Sequence, residues 1–389
     1  MGSATALFLA RRNLQVTLFD AAHQPFAGAS RWNEGKIHLG YLYAGDPSLD
    51  TARRLLPGGL AFKRLTEELV GCSIDGATTE QDETFLIHRN SVVPPGAAAR
   101  YFEAVSAMAA GHPEARGYLA PLTHARSTRL SEADLDAACD TAHIAAGFRV
   151  PERSVYTPWL ADRFVDALSS EPRIELRMQT RVTGVRRSAS TLAPPLFVET
   201  TAGVDGPFDA VVNALWEGRL AIDVALGLPS PSTWSHRFRL SAFLRSVDGV
   251  EVPSTVVVTG PFGDVKNYGG RDFYASWYPT GLRAEGNAVA PPPVTTLDPR
   301  EHARVAVEII DKLGEIVPSV ARLKDCLADV RLEGGWVYAE GRGSLADPAS
   351  TLHRRDRVGI TRTGAYFSVD TGKYSIAPWL ANDVAHLIV

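Results

Sequence analysis

The side chains that could do chemistry cluster in two stretches of this 389-residue chain. Residues 27–46 read Ala-Gly-Ala-Ser-Arg-Trp-Asn-Glu-Gly-Lys-Ile-His-Leu-Gly-Tyr-Leu-Tyr-Ala-Gly-Asp. Gly28, Gly35, Gly40 and Gly45 punctuate it, and glycine at that density lets backbone approach a flat ligand closely. Residues 331–356 gather Trp336, Tyr338, Arg342, His353, Arg354 and Arg355. A carboxylate substrate needs a cationic clamp, for which the planar fork of arginine is best suited. Arg31, Arg237, Arg342, Arg354 and Arg355 are the candidates, each also readable as a solvated or structural arginine. An alcohol substrate also needs a base for its hydroxyl proton, and neutral imidazole suits that near pH 7. His38 and His353 are the candidates. An amine substrate only has to lose its ammonium proton. Tyr41, Tyr43, Tyr268, Tyr274, Trp277 and Tyr278 form either an aromatic substrate wall or part of the core.

These groups need elements to hold them. The chain opens as a helix, with Ala4, Leu7, Phe8 and Ala10 near helical spacing, Arg11 and Arg12 suiting the dipole at its end, and Asn13 as C-cap. Residues 15–19 form a short strand that ends at Asp20. A helix followed by a strand ending in an acid is the second half of a βαβ unit, and in dinucleotide folds that acid accepts hydrogen bonds from the adenosine ribose. Only the last glycine of G-x-G-x-x-G could remain, as Gly2, which lies 18 residues before Asp20. The missing strand and glycines need about ten more residues upstream, so Met1 is expected to be an internal methionine. The alternative is a native amphipathic helix packed on a sheet.

Further along, residues 49–70 are amphipathic but interrupted at Pro57-Gly58-Gly59. Residues 84–88 read as a strand, and 96–111 and 131–139 as helices, the latter with a Ser131/Asp134 capping box. An amphipathic helix follows Tyr156-Thr157-Pro158. Residues 236–244, 254–259 and 274–278 read as strands of a mixed sheet, 287–299 as a loop, and 300–316 as a helix that starts near Asp298 or Pro299.

Together these motifs resemble the FAD-dependent oxidoreductases of the D-amino-acid oxidase superfamily. In that family the ribose acid is followed by an Ala-Ser element, here Ala29-Ser30, and then a glycine-rich turn along the flavin ring, here Gly35-Lys36-Ile37-His38. Lys36-Ile37-His38-Leu39-Gly40 is similar to the version found in the glycerol-3-phosphate and 2-hydroxyglutarate branch. A few relatives attach flavin covalently through a histidine in this region, so His38 is either such a residue or a hydrogen-bonded loop histidine. Residues 174–185 resemble the adenine-side strand pair, implying a backbone contact from Val182. Residues 209–228 resemble D-x-V-V-N-A-A-G, implying cofactor contacts from Asn213, Ala214 and Trp216, although Leu215-Trp216 stands where Ala-Gly is usual. Residues 366–381 resemble the closing motif, in which Gly372 and Lys373 open the last flavin-facing helix. That helix's amides and dipole can stabilise negative charge at the flavin N1–C2 carbonyl edge. The stretch before it usually reaches over the flavin with a substrate-facing arginine or aromatic, which implies catalytic roles for Arg342 first and Tyr338 second, with His38 and His353 as the bases.

The fold class expected is α/β: a Rossmann-like FAD-binding domain of the glutathione-reductase type, with an inserted α+β substrate domain on a mixed sheet. The FAD-binding domain is expected in three pieces, 1–47, 145–228 and 331–389, and the substrate domain in two, 48–144 and 229–330. The function implied is hydride transfer from a small amine, amino acid or 2-hydroxy acid to flavin N5, with FAD as cofactor and oxygen or a quinone as acceptor. Two alternatives are an FAD-deficient truncated remnant and a quinone-linked membrane dehydrogenase. The latter ranks lower because no basic amphipathic helix is evident. The closing motif has no role in an NAD enzyme.

Composition narrows the classes further. Lys plus Arg is 40 against 44 Asp plus Glu, a net charge of −4 that argues against a nucleic-acid partner. No run is long and apolar enough for a spanning helix. The three cysteines, Cys72, Cys139 and Cys326, are too scattered for a disulfide scaffold or a cysteine zinc site, so no metal is expected and a cytoplasmic location is.

Overall fold

Seven consecutive buried residues, Ala4 to Ala10, make α1 (Gly2–Arg11) a core helix in the computed structural model, which describes residues 1–188 and 195–389. Arg12 caps it, one position before the cap expected at Asn13, and Asn13 follows at a left-handed φ of 66°. β1 (Val16–Phe19) and the two-residue β2 (Lys36–Ile37) come next.

α2 (Asp50–Val70) is one continuous helix of 21 residues, which corrects the break expected at Pro57-Gly58-Gly59. A proline inside a helix costs about 3 kcal/mol. Burial of Leu55, Leu56, Leu60, Phe62, Leu65 and Leu69 offsets it. The two glycines are packing slots. A Cβ on Gly58 would lie 2.6 Å from Ile376, and one on Gly59 would lie 2.2 Å from the His38 carbonyl oxygen.

β3 (Glu83–His88), α3 (Pro95–Gly111), β4 (Thr128–Arg129), α4 (Glu132–Ala138), β5 (Ile144–Val150), β6 (Arg153–Ser154) and α5 (Thr157–Ser170) follow. The expected capping box at α4 is half formed. Ser131 accepts from the Asp134 N–H at 3.1 Å, but the Asp134 carboxylate accepts from the Ser131 hydroxyl instead of reaching back to its backbone.

The chain continues through β7 (Ile174–Arg177), β8 (Val182–Arg187), β9 (Leu196–Thr200), β10 (Gly203–Phe208), β11 (Val211–Asn213), α6 (Arg219–Ala225), β12 (Trp234–Ser246), β13 (Thr255–Val258), β14 (Gly263–Tyr268) and β15 (Asp272–Trp277). The short α7 (Tyr278–Gly281) ends β15 one residue earlier than expected, because Pro279 cannot donate to a ladder. β16 (Leu282–Gly286), α8 (Pro299–Ile316), α9 (Pro318–Ala321), β17 (Leu327–Glu340), β18 (Gly359–Thr363), β19 (Tyr366–Asp370) and α10 (Ala377–Ile388) complete it. Asp298 and Glu301 form a full capping box on α8.

Two assemblies position the site. The nucleotide-type side has parallel pairs, β1 with β7 and β11 with β19, with β18 antiparallel on β19 and the β8–β10 meander beside them. The other is a nine-stranded mixed sheet ordered β16-β12-β15-β14-β13-β3-β5-β4, with β17 paired along β12 from Trp234–Glu340 to Ser246–Leu327. This is the α/β architecture with a large mixed sheet that the sequence implied. β5 and β17 hydrogen-bond inside the mixed sheet. One face of the sheet packs Leu240, Ala242 and Leu244 with Ile309 and Leu313 of α8. On the other, Phe243 and Tyr274 meet Trp32, and Tyr268 meets Tyr156.

Candidate active site between the mixed sheet and the glycine-rich segment

Residues 29–40 run as tightly packed backbone between β6 and β17. Gly35 sits at φ 61°, where a Cβ would strike the Val155 carbonyl, and its N–H donates to Asn33 Oδ1 at 2.8 Å. Asn33 Nδ2 donates to the Ala29 carbonyl at 2.8 Å and the Ser30 carbonyl at 3.3 Å. A Cβ on Gly335 of β17 would lie 2.5 Å from Ala29 Cα. This stretch needs glycine because backbone, not side chain, fills the space.

A buried chain of charges anchors its end. Lys36 Nζ pairs with Glu83 Oε2 and lies 3.6 Å from Glu152. Glu83 Oε1 meets Lys266 Nζ at 3.1 Å, and Lys266 lies 3.5 Å from Asp264. Asp264 accepts from Ser276 at 2.6 Å, and Ser276 Oγ accepts from Arg239 Nη2 at 3.2 Å. Glu152 Oε1 also accepts from the N–H groups of Leu39 and Gly40, at 2.7 and 3.1 Å. Burial, reinforced by Lys266, holds the Lys36 amine well below the usual lysine range.

Beyond this chain lies a group of cations without carboxylate partners. Arg237 is 3% exposed, donates from Nη1 to the Tyr278 hydroxyl at 3.0 Å, and has no partner at Nε. Arg355 is 8% exposed, and among the described residues its guanidinium donates only to the carbonyls of Leu352 and Arg354, again with Nε free. Arg239 stacks on Tyr278, and Lys373 lies over the Tyr43 ring. Among the described residues none of the four is within ion-pair distance of a carboxylate. Burial brings the Lys373 amine down to about 8, with Glu34 opposing and Arg355, Arg239 and Arg237 adding to the shift. Burial also works against ionisation of Glu34, but Lys373, with Arg239 and Lys266, outweighs it and holds that carboxyl below its ordinary range. His38 is 1% exposed, with its ring 5.5 Å from that of Tyr43 and Nδ1 unpartnered. Burial, then Lys373 and Lys36, hold its pKa well below the ordinary imidazole value, so it is neutral at pH 7.

Sequence reasoning singled out several of these residues and placed others differently. Lys36, Ile37, His38 and Lys373 come together here. Arg342 is exposed, on the rim of a cavity of about 410 Å³ that Tyr338, Arg355, Asp370 and Gly372 also line. The Tyr338 hydroxyl has no hydrogen-bond partner among the described residues, the Arg219 guanidinium lies 5.3 Å from its ring centre, and burial raises its pKa to about 12. His353 is buried against Gly45, and its Nε2 meets the Asp347 carbonyl at 3.1 Å. Burial lowers its pKa. Gly372 sits at φ 60°, where a Cβ would collide with Val358, and Lys373 is extended. The final helix therefore starts later than the sequence implied, with a turn at Tyr374–Ile376 leading into α10.

At the nucleotide end, Gly2 meets Ala214, with a Cβ on Gly2 lying 3.5 Å from the Ala214 Cβ. Asp20 ends β1 and accepts from the Ala22 N–H at 2.8 Å, and Val182 opens β8. The Asn213 side chain is committed to Tyr366, Arg219 and Asp223, which leaves only its backbone for a ligand. Trp216 has a φ of 53° and ties its indole N–H to the Trp336 carbonyl at 2.7 Å. Glu34, Glu83, Glu152, Arg239, Asp264 and Lys266 were missed. The available signal was charge inside strand-like runs, as in Arg237-Phe-Arg239-Leu and Asp264-Val-Lys266.

The flavin implied by the sequence fits these residues. The backbone between Gly35 and Gly40 offers a close-approach surface. The buried polar atoms His38 Nδ1, Tyr43 OH, Ser375 Oγ and Arg355 Nε lack hydrogen-bond partners among the described residues. Asp20 presents its carboxylate at the end of β1. No group of three or more His, Cys, Asp or Glu among the described residues could hold a metal ion.

Residues 1–343 match the family model DAO, described as FAD dependent oxidoreductase. No curated protein sequence matches the chain. Among solved structures, glycine oxidase from Geobacillus kaustophilus superposes with a TM-score of 0.66 at 16% identity, covering 100% of this chain and 91% of that one. NikD, described as an unusual amino acid oxidase essential for nikkomycin biosynthesis, gives 0.66 at 15% over 100% and 91%. L-α-glycerophosphate oxidase from Mycoplasma pneumoniae gives 0.61 at 11% over 100% and 92%. At these identities the likeness is one of fold.

Proposed function

This chain belongs to the DAO family of FAD-dependent oxidoreductases, and from that premise we propose that it oxidises a small acid at the carbon bearing its amine or hydroxyl. The observation that carries this reading is Arg237, buried, fixed by Tyr278 and without a counter-ion among the described residues. A buried, unpaired guanidinium is costly. A substrate carboxylate accepting its free N–H groups relieves that cost and orients the acid.

FAD, when bound, supplies acceptance of a hydride from the substrate C–H bond. Asp20, Ala29, Ser30, residues 35–38, Val182, the backbone at 213–216 and the Gly372–Lys373 turn would hold it. His38, neutral through burial, presents Nδ1 as an acceptor. A hydroxy acid can leave its hydroxyl proton there, whereas an amino acid enters as the free amine and needs only to be positioned. Lys373 supplies positive charge beside Tyr43. The neighbours named as a glycine oxidase and an amino acid oxidase support the amino-acid form, and the glycerophosphate oxidase supports the hydroxyl form.

The electrons leave to oxygen or to a quinone. The free thiols of Cys72, Cys139 and Cys326 support residence in the reducing cytoplasm. No helix among the described residues is long and apolar enough to cross a membrane.

The test is anaerobic bleaching of the band near roughly 450 nm in the FAD-loaded protein, with amino acids, 2-hydroxy acids and neutral amines or alcohols as substrates. Bleaching by acids alone is expected, followed by reoxidation with air or a soluble quinone to separate the acceptors. Failure to load FAD, or bleaching by neutral compounds only, overturns the reading.

A further inference from the structure

We propose that Tyr118 is a positioning residue for the flavin: its hydroxyl fixes where the backbone of residues 36–38 lies, and with it the place of His38 beside the cofactor. The proposal rests on the FAD-dependent reading above and extends it to a residue that lies far from the glycine-rich segment in sequence.

Lys36 and Ile37 form β2 and pair antiparallel with Ser154 and Arg153 of β6. A third group stands between the paired residues Ile37 and Arg153. The Tyr118 hydroxyl donates to the Ile37 carbonyl at 2.7 Å and accepts from the Arg153 N–H at 2.8 Å. Its proton and a lone pair are thus both engaged, each by backbone. Burial, with Glu152 adding to it, holds the phenol well above its ordinary range, so it keeps the proton it donates. A ladder of two residues holds a strand weakly. Tyr118 strengthens this one at the residue that precedes His38.

Packing closes the other side of the segment. The His38 carbonyl lies against Gly59 of α2, where a Cβ would be 2.2 Å away. The backbone is therefore caught between a hydroxyl and a glycine. The His38 side chain is 1% exposed, its ring lies 5.5 Å from that of Tyr43, and its Nδ1 has no hydrogen-bond partner among the described residues. A sideways slip of the strand would carry that nitrogen and the glycine-rich backbone with it.

Other tyrosine hydroxyls of the core are used differently. That of Tyr41 meets Ser106 at 2.8 Å, and that of Tyr274 meets Ser241 at 2.9 Å, so each joins two side chains. Tyr101 reaches the Gly40 carbonyl at 3.2 Å, but that carbonyl already accepts from the Tyr43 N–H at 3.1 Å. Of these four hydroxyls only that of Tyr118 joins the cofactor segment to a second strand.

The experiment compares wild type with Tyr118→Phe and Ser106→Ala. Ser106 is the matched control, because its buried hydroxyl meets Tyr41, Phe102 and Ser127 and none of residues 35–38. Protein stripped of FAD is titrated with FAD at a temperature where all three are folded, and the visible spectrum of the bound flavin is recorded. Tyr118→Phe is expected to raise the Kd for FAD about fivefold or more, the worth of one lost hydrogen bond, and to shift the flavin bands. Ser106→Ala should lower the melting temperature and leave both unchanged. Tyr118→Phe with the wild-type Kd and spectrum overturns the proposal, as does Ser106→Ala moving both as far as Tyr118→Phe. Hydrogen exchange on the wild type decides the matter if Tyr118→Phe fails to fold. Loading with FAD is expected to slow exchange in residues 35–40 and at the Arg153 amide together, and protection confined to 35–40 overturns the proposal. Wild type that does not bind FAD removes the underlying reading, and the proposal with it. FAD-loaded wild type that acids bleach, beside a Tyr118→Phe protein identical to it in Kd and spectrum, removes only the proposal.

Discussion

Arg239 lies over the face of Tyr278, its guanidinium carbon 4.5 Å from the ring centre. The hydroxyl of the same tyrosine accepts from Arg237 at 3.0 Å, so one side chain sets the positions of two cations on β12. Removing the hydroxyl alone, in Tyr278→Phe, frees Arg237 but leaves Arg239 stacked. A hydrogen bond from a charged donor is worth about 1.5–3 kcal/mol, so KM for an acid substrate should rise about tenfold or more with kcat little changed. Tyr278→Ala loses both supports and should cost more. Steady-state kinetics on the pair of variants checks this, and equal effects from the two would show that the ring contributes nothing.

Gly59 admits the His38 carbonyl to the surface of α2. A methyl group there would lie 2.2 Å from that oxygen. Gly59→Ala should destabilise the fold by about 1–3 kcal/mol through overpacking and weaken FAD binding by displacing His38. Gly76, where a Cβ meets nothing within 4 Å, is the matched control. Thermal melts with and without FAD make the comparison.

Lys36 and Glu83 form a fully buried ion pair, with Lys266 on the far oxygen of Glu83. Removing one partner strands a charge, so Lys36→Met should cost about 3–5 kcal/mol. The carboxylate left without a cation among the described residues is Glu152, because Glu83 keeps Lys266 at 3.1 Å. Adding Glu152→Gln removes that stranded charge, and the double variant should be more stable than the sum of the single effects implies. Urea unfolding of the four proteins closes the cycle, and simple additivity would contradict the coupling.

Lys373 titrates at about 8, lowered from 10.5 chiefly by burial. In the free protein the folded state binds fewer protons than the unfolded state between those values. The penalty for burying the charged amine is therefore complete below pH 8 and is relieved as pH rises toward 10.5. Ligand binding follows the opposite trend, because an anion needs the cationic form. Affinity of the FAD-loaded protein for an acid should fall as pH rises through about 8, and Lys373→Met should flatten that profile. Calorimetric titration across that range provides the measurement.

The sequence alone determined the nucleotide-type side of this protein. A helix-strand unit ending at Asp20, the glycines through residues 28–45 and the Gly372-Lys373 turn are local signals, since turns and close backbone approach require glycine wherever they occur. Those signals led to the family, to FAD and to the α/β fold. They failed where a local rule met tertiary packing. Pro57-Gly58-Gly59 reads as a helix break, yet the helix runs through it because Ile376 and the His38 carbonyl need the room its glycines leave.

The charged centre was less legible. Lys36 was visible, but its partners Glu83 and Glu152 stand 47 and 116 residues away, and no spacing rule links strands brought together by a nine-stranded sheet. Arg342 and Arg237 looked alike as arginines among aromatic residues. Only the fold exposes the first at a rim and buries the second beside Tyr278. Whether a cation is solvated or left waiting for an anion depends on what surrounds it in three dimensions, and residue type and order do not carry that information.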